Sequence, residues 1–241
     1  MRRRDFVKTG AGLSFVGAVG RGARAAEPAP NTPTPFDDTT VKQIAQKLAK
    51  SDYNPPSEHL PSAIHDLNFD QFRGIAFRPE RALWHGENLN FDVEFFPRGY
   101  LYKPQIFMNE VIDGKSSRIV YDPDMFTYED PMLRVTDDLG FAGLRLRNPL
   151  NSAGVFEECA VFLGASYFRA VAKGQFYGLS ARGFANGTGN SKGEEFATFR
   201  EFWLEKPKAG VDSVVIHALM DSKSVTAAFR FTIRPGVTTV F

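Results

Sequence analysis

From Leu89 to Phe95 apolar and polar residues alternate, so that Leu89, Phe91, Val93 and Phe95 share one face of an extended chain and Asn90, Asp92 and Glu94 the other. That is the pattern of a strand laid on a core. A second run, Pro104 to Ile112, meets Asp113-Gly114 and then Ser117 to Tyr121. Asp-Gly supplies the positive φ angles of a two-residue turn, so the two runs predict a hairpin. Further strands are expected at Gly140 to Leu146, Ser166 to Ala172, Phe176 to Arg182, Thr198 to Glu205, Ser213 to Met220 and Thr226 to Ile233. Only Thr40 to Lys50 carries helical spacing, through Val41, Ile44, Ala45 and Leu48, with Thr40 and Gln43 as a capping box. Asn54-Pro55-Pro56 and Leu60-Pro61 bar its continuation. The predicted fold class is all-β, an antiparallel β-sandwich or barrel with one short N-terminal helix. No internal repeat is visible.

Composition agrees. The 241 residues suffice for one large domain or two small ones, with a substantial core and no second core required. Twenty-three Phe against seven Tyr and two Trp, with 21 Gly and 15 Pro, favour sheets and turns. Hydrophobic residues at 43% and charged residues at 24% are those of an ordinary folded chain, which excludes the disordered and collagenous classes. The formal net charge of +1 hides an asymmetry. Arg2, Arg3, Arg4, Lys8, Arg21 and Arg24 crowd the first 25 residues, with Asp5 as the one acid among them, so the remainder is net acidic. Nucleic acid is therefore not an expected partner.

The basic start reads as an address. Arg3-Arg4-Asp5-Phe6-Val7-Lys8 precedes a weakly apolar stretch from Gly10 to Gly20 and a small-x-small pattern, Ala23-Arg24-Ala25. This order predicts a twin-arginine export signal over residues 1–25, cleaved after Ala25, followed by a Pro/Thr-rich flexible linker over 26–35. The expected destination is the periplasm. A spanning helix needs roughly 20 apolar residues, which no segment offers, so no transmembrane anchor is expected. The single cysteine, Cys159, has no partner for an internal disulfide and lies in the apolar run Cys159-Ala160-Val161-Phe162-Leu163, where it reads as a small buried hydrophobe.

Several chemistries lack their spacing. His59, His65, His85 and His217 form no H-x-H or H-E-x-x-H pattern, so no metal site and no cofactor are expected, and the histidines read as solvated loop or strand residues. Gly187-Thr188-Gly189-Asn190-Ser191-Lys192-Gly193 lacks the spacing of a phosphate loop and precedes a strand, which predicts a mobile hairpin loop instead. No G-x-S-x-G elbow surrounds any serine.

What remains is a set of aromatic and charged residues on common strand faces. Alternation from Phe199 places Glu201, Trp203 and Glu205 with Phe199 on one side, and Arg200, Phe202 and Leu204 on the other. An indole between two acids suits a sugar, because an aromatic plane covers the C–H face of a pyranose while charged groups bind its hydroxyls. The same logic joins Tyr167 and Arg169 in one strand to Tyr177 and Arg182 in the next. The competing reading makes Trp203 a core residue and the two glutamates partners of surface cations.

Asp138-Leu139-Gly140-Phe141-Ala142-Gly143, Leu163-Gly164-Ala165-Ser166-Tyr167-Phe168-Arg169, Tyr177-Gly178-Leu179-Ser180-Ala181-Arg182-Gly183, Gly193-Glu194-Glu195-Phe196 and Glu201-Phe202-Trp203-Leu204-Glu205-Lys206-Pro207 carry a family likeness. From about Phe36 to the last residue the chain closely resembles the periplasmic glucan biosynthesis protein G/D family, and the match looks close to its D member, which typically carries a twin-arginine leader. The resemblance implies a part in making osmoregulated periplasmic glucans with a β-1,2-linked glucose backbone. It implies a large amino-terminal β-sandwich resembling galactose mutarotase, with a long cleft, and a smaller immunoglobulin-like domain behind it. It also implies kinship with inverting β-1,2-glucan hydrolases, whose two carboxyls stand about 6.5–9.5 Å apart to admit a water.

Family members are about twice as long, so residues 36–241 are expected to be the amino-terminal part of the sandwich, without the immunoglobulin-like domain. The family's catalytic carboxylates would fall downstream of Phe241, and no catalytic residue is carried over. The expected substrate-binding set is Tyr167, Arg169, Tyr177, Arg182, Glu201, Trp203 and Glu205, and the expected partner is a β-glucan polysaccharide. A non-catalytic structural or interaction protein serving the glucan-synthesis machinery of the inner membrane is the alternative, as is an inactive fragment.

Overall fold

Two β-sheets pack face to face around one aromatic core in the computed structural model, which describes residues 32–239. In chain order the elements are β1 (Thr34–Pro35), α1 (Thr40–Leu48), α2 (Ser62–His65), α3 (Phe69–Arg73), β2 (Ile75–Phe77), β3 (Asp92–Phe96), β4 (Phe107–Ile112), β5 (Lys115–Arg118), β6 (Phe126–Tyr128), β7 (Gly143–Asn148), β8 (Glu157–Leu163), β9 (Tyr167–Ala170), β10 (Ala181–Arg182), β11 (Thr198–Glu205), β12 (Val214–Asp221) and β13 (Thr226–Ile233). One sheet has the order β1-β5-β4-β11-β12-β13 and the other β10-β9-β8-β7-β3, while β2 and β6 pair separately. The all-β sandwich is thus present. Among the described residues its one parallel ladder joins β4 to β11; the other pairs are antiparallel.

The core lies where the alternating patterns meet. Phe91, Val93 and Phe95 turn inward from one sheet, with Leu144, Leu146, Ala160 and Phe162 beside them. Phe199, Phe202 and Leu204 oppose them with Ile216, Ala218 and Phe231. The ring of Phe162 spans the gap, 5.3 Å from Phe202 and 5.1 Å from Phe231 between centroids, both edge-on. Cys159 is buried and free, as expected.

One face assignment needs correcting. The predicted alternation put Phe199 with Glu201, Trp203 and Glu205, but the ladder to β12 shifts register between Phe199 and Glu201. Arg200 is the extra residue of a β-bulge, so the phase reverses there. Phe199 therefore faces inward with Phe202 and Leu204, and Glu201, Trp203 and Glu205 keep the outer face.

The Asp113-Gly114 turn forms as predicted, with φ of 49° and 70°, and it pairs Ile112 with Lys115, so the second strand is Lys115–Arg118 where Ser117 to Tyr121 was expected. Positive φ costs an L-residue about 1–2 kcal/mol. Gly114→Ala is therefore expected to lower stability by about 1 kcal/mol, measured as a lower urea midpoint at unchanged slope.

Local differences have local causes. The helix predicted over Thr40 to Lys50 ends at Leu48, and its N-cap is Thr39, whose hydroxyl accepts from the Gln43 side chain at 3.0 Å. The reciprocal capping box belongs instead to α3, between Asn68 and Gln71. Gly140 turns with φ of 65°, which delays the expected strand to Gly143. The run Phe176 to Arg182 finds a partner only at Ala181 and Arg182, and Phe176 and Leu179 stand in solvent. Thr34 and Pro35, read as the end of the linker, pair with β5. The hairpin expected around Gly187 is closed by a bridge between Asn186 and Glu195. The export signal, its cleavage pattern and residues 26–31 lie outside the described residues. Among those described, no helix is long and apolar enough to cross a membrane.

Candidate functional site

The outer face of the six-stranded sheet is part wall and part groove. Helix α1 lays Val41 and Ala45 over Trp203, Val111 and Leu219, with Phe36 ahead of it. Beyond the helix the sheet is uncovered, leaving a groove of about 560 Å³. Its floor is Phe107 and Asn109 of β4, Ser116 and Arg118 of β5, and Glu201 and Trp203 of β11. Residues 32–36 and the start of α1 make one wall; Gln105, Asp138 and Gly140 make the other.

Three polar side chains are locked together there. Glu201 Oε1 accepts from Asn109 Nδ2 at 2.8 Å and from Arg118 Nη2 at 3.1 Å. Asn109 also donates to the Phe202 carbonyl at 3.0 Å, which fixes its amide. The Arg118 guanidinium lies 4.2 Å above the Phe107 ring. Arg118 Nη1 is buried and has no hydrogen-bond partner among the described residues, an unmet donor beside the groove. The ring available to a ligand is that of Phe107, 39% exposed. Trp203 is 4% exposed, stacked on Phe36 with centroids 6.1 Å apart. Its rim lines the groove, but its faces are covered, so the stacking role expected of it is closed.

The other predicted residues sit elsewhere. Tyr167 and Arg182 are direct cross-strand neighbours, and Phe168 between Tyr167 and Arg169 points into the core. Tyr167, Arg169, Tyr177 and Arg182 therefore gather outside the five-stranded sheet, on the opposite side of the sandwich from the groove. Arg169 lies 4.6 Å over the Tyr177 ring and Arg182 5.8 Å over Tyr167. Arg182 is also paired with Glu194. The hollows beside them measure about 430 and 80 Å³ and are shallow. One groove does not unite the seven residues. Glu205 stands apart from both sets, its Oε1 2.6 Å from His217 Nε2. His217, expected in solvent, is 2% exposed because Phe36 covers it edge-on at 5.1 Å.

Phe107, Asn109 and Arg118 were not singled out from the sequence. A signal existed for two of them: counting back from the Asp-Gly turn sets Asn109 opposite Arg118, as the ladder does. Their meeting with Glu201 depends on the parallel ladder, which no local pattern announces.

A second charged cluster lies on the outer side of the five-stranded sheet. Asp92 and Glu94, on the polar face of β3, are 2% and 1% exposed. Glu94 is held by Arg147 and by Arg145 Nε at 2.6 Å. Asp92 has Arg147 Nε at 3.4 Å and His85 at 3.9 Å. Burial outweighs these cations and pushes the Asp92 carboxyl up to about 6.

Residues 36–241 match the family model described as "Periplasmic glucan biosynthesis protein, MdoG". A glucans biosynthesis protein G from Rhodopseudomonas palustris (strain ATCC BAA-98 / CGA009) is 52% identical over 206 residues, covering 86% of this chain and 41% of that protein. One from Bradyrhizobium diazoefficiens is 47% identical over 242 residues, covering 100% and 48%. One from Vibrio cholerae serotype O1 (strain M66-2) is 43% identical over 206 residues, covering 85% and 38%. The chain thus spans less than half the length of these relatives. They carry the G name where the sequence had suggested the D member; the G/D family is what they bear out. A match running through both sheets, α1 and the three strands of the groove floor, β4, β5 and β11, places this chain in the periplasmic glucan biosynthesis protein family.

Proposed function

We propose that this chain supplies the amino-terminal portion of a glucan-binding β-sandwich that acts in osmoregulated periplasmic glucan biosynthesis, and that its groove holds a stretch of the β-1,2-linked glucose backbone. The observation that carries the reading is the trio Glu201, Asn109 and Arg118 set beside the partly exposed ring of Phe107. A pyranose offers an apolar C–H face and a rim of hydroxyls, and this floor offers a ring for the first and charged, pre-oriented groups for the second. The groove volume lies within the range of small-ligand sites, about 300–1,000 Å³. Export by the twin-arginine leader would deliver the folded protein to the periplasm.

Hydrolysis by full-length relatives belongs to the same proposal but is assigned to no residue here. Glu201 is engaged with two donors, and Glu205 lies outside the groove. Tyr167, Arg169, Tyr177 and Arg182 form a separate aromatic and guanidinium surface, which a glucan could touch only by passing around an edge of the sandwich.

Calorimetric titration with linear β-1,2-glucooligosaccharides tests the reading. Phe107→Ala and Arg118→Ala are each expected to weaken binding about tenfold, equivalent to about 1.4 kcal/mol. Arg169→Ala on the opposite face is expected to leave it unchanged. Loss of affinity only in Arg169→Ala would move the site to the other sheet, and no binding by the parent protein would favour the interaction-protein alternative.

A further inference from the structure

We propose that Asp38, Glu205 and His217 form a binding site for a divalent transition metal, with Zn²⁺ the ion of best fit. The site is distinct from the groove and does not depend on what the groove holds. The three residues come from separate elements: the turn before α1, the end of β11 and the middle of β12. One donor atom from each lies within 4.8 Å of the others.

The buried imidazole is the informative member. His217 sits under Phe36, and its one hydrogen-bond partner among the described residues is Glu205, inside the cluster. A buried ring nitrogen is thus bonded to one carboxylate and has a second within 4.8 Å. A proton shared between His217 and Glu205 joins two of the three donors, whereas an ion joins all three. Donors at about 2.0–2.2 Å from tetrahedral zinc are roughly 3.3 Å apart, so binding requires only that the His217–Glu205 pair open slightly and that Asp38 swing in. Asp38 is exposed and able to swing, while Asp37 pins the turn beneath it by accepting from the hydroxyls of Thr39 and Thr40.

The donor set indicates the ion. One imidazole nitrogen and two carboxylate oxygens suit zinc and its neighbours; magnesium and calcium favour all-oxygen sets. The two carboxylates by themselves balance a divalent ion, and Arg230 Nε, 3.4 Å from Asp38, is the competing cation that the Asp38 carboxylate leaves as it turns to the ion. Three protein ligands leave a further position for water.

The ion would act as a clip. Phe36 stacks on Trp203, covers His217 and lines the groove, so fastening Asp38 to β11 and β12 fixes the segment that forms the groove's wall.

Untagged protein stripped with chelator and titrated calorimetrically with ZnCl₂ is expected to bind one equivalent, and MgCl₂ is expected to give no response. Asp38→Asn and His217→Gln should each weaken zinc binding at least tenfold. Asp38 is a surface residue, so its variant tests the site even if the His217 variant fails to fold. Amide exchange across residues 34–38 should slow with zinc in the parent and not in Asp38→Asn. Absence of zinc binding, binding unchanged by Asp38→Asn, or an equal response to magnesium would each overturn the proposal.

Discussion

Phe162→Ala is expected to lower the stability of this protein by about 3–5 kcal/mol, the range for removing a buried aromatic ring. Whole domains hold only about 5–15 kcal/mol in reserve, so the variant should sit close to unfolding at room temperature. The position explains the size. Phe162 is fully buried on β8 and makes ring contacts with Phe168 on its own sheet and with Phe199, Phe202 and Phe231 on the opposing one. Truncation opens a cavity between two rigid layers, where neither backbone can collapse to fill it. Phe162→Leu keeps most of the volume and should lose less than half as much. Urea unfolding of both variants gives the comparison; a loss under 1 kcal/mol for the alanine variant would show that the sheets are not joined through this ring.

Asp92→Asn should act in the opposite direction and make the protein more stable at neutral pH by about 2 kcal/mol. The Asp92 carboxyl rises from its ordinary 3.8 to about 6 in the folded state, chiefly because burial disfavours its charge. Each pH unit of such a shift corresponds to about 1.4 kcal/mol. Because the folded value is the higher one, the stabilising contribution is complete below pH 3.8 and is lost as pH climbs through 6. Above that range the fold carries a buried anion that it would hold more readily as a neutral group. Asparagine preserves the shape without the charge. Arg147 then still has Glu94 and the Phe156 carbonyl, so it is not stranded. The stability difference between variant and parent should grow from pH 4.5 to pH 7.5; a difference that shrinks over that window would sink the argument.

How much of this was written in the sequence depends on the range of the interaction. Period-two alternation named the inner face of β3 correctly, and Asp113-Gly114 specified the turn of the β4–β5 hairpin, because both are properties of contiguous chain. The helix over Val41, Ile44, Ala45 and Leu48 was legible for the same reason. The bulge at Arg200 was not, since an inserted residue leaves composition untouched and declares itself only against a partner strand. Nor was the fate of the aromatic and charged candidates. Alternation states that two residues share a face of one strand, but not on which side of the sandwich that strand's sheet lies. Tyr167 and Trp203 therefore looked equivalent in the sequence and fell on opposite faces. His217 shows the same limit: its strand was predicted, but the phenylalanine that covers it is some 180 residues away along the chain.

The parallel ladder between β4 and β11 imposes an order on biosynthesis. Phe107 and Glu201 are register partners, yet ribosomes adding about 5–20 residues per second deliver the second roughly 5–20 s after the first. Throughout that interval β4 lacks its β11 partner, and Met108, fully buried at completion, has no opposing layer to cover it. Half of the six-stranded sheet thus stays without its other half until the later strands are made.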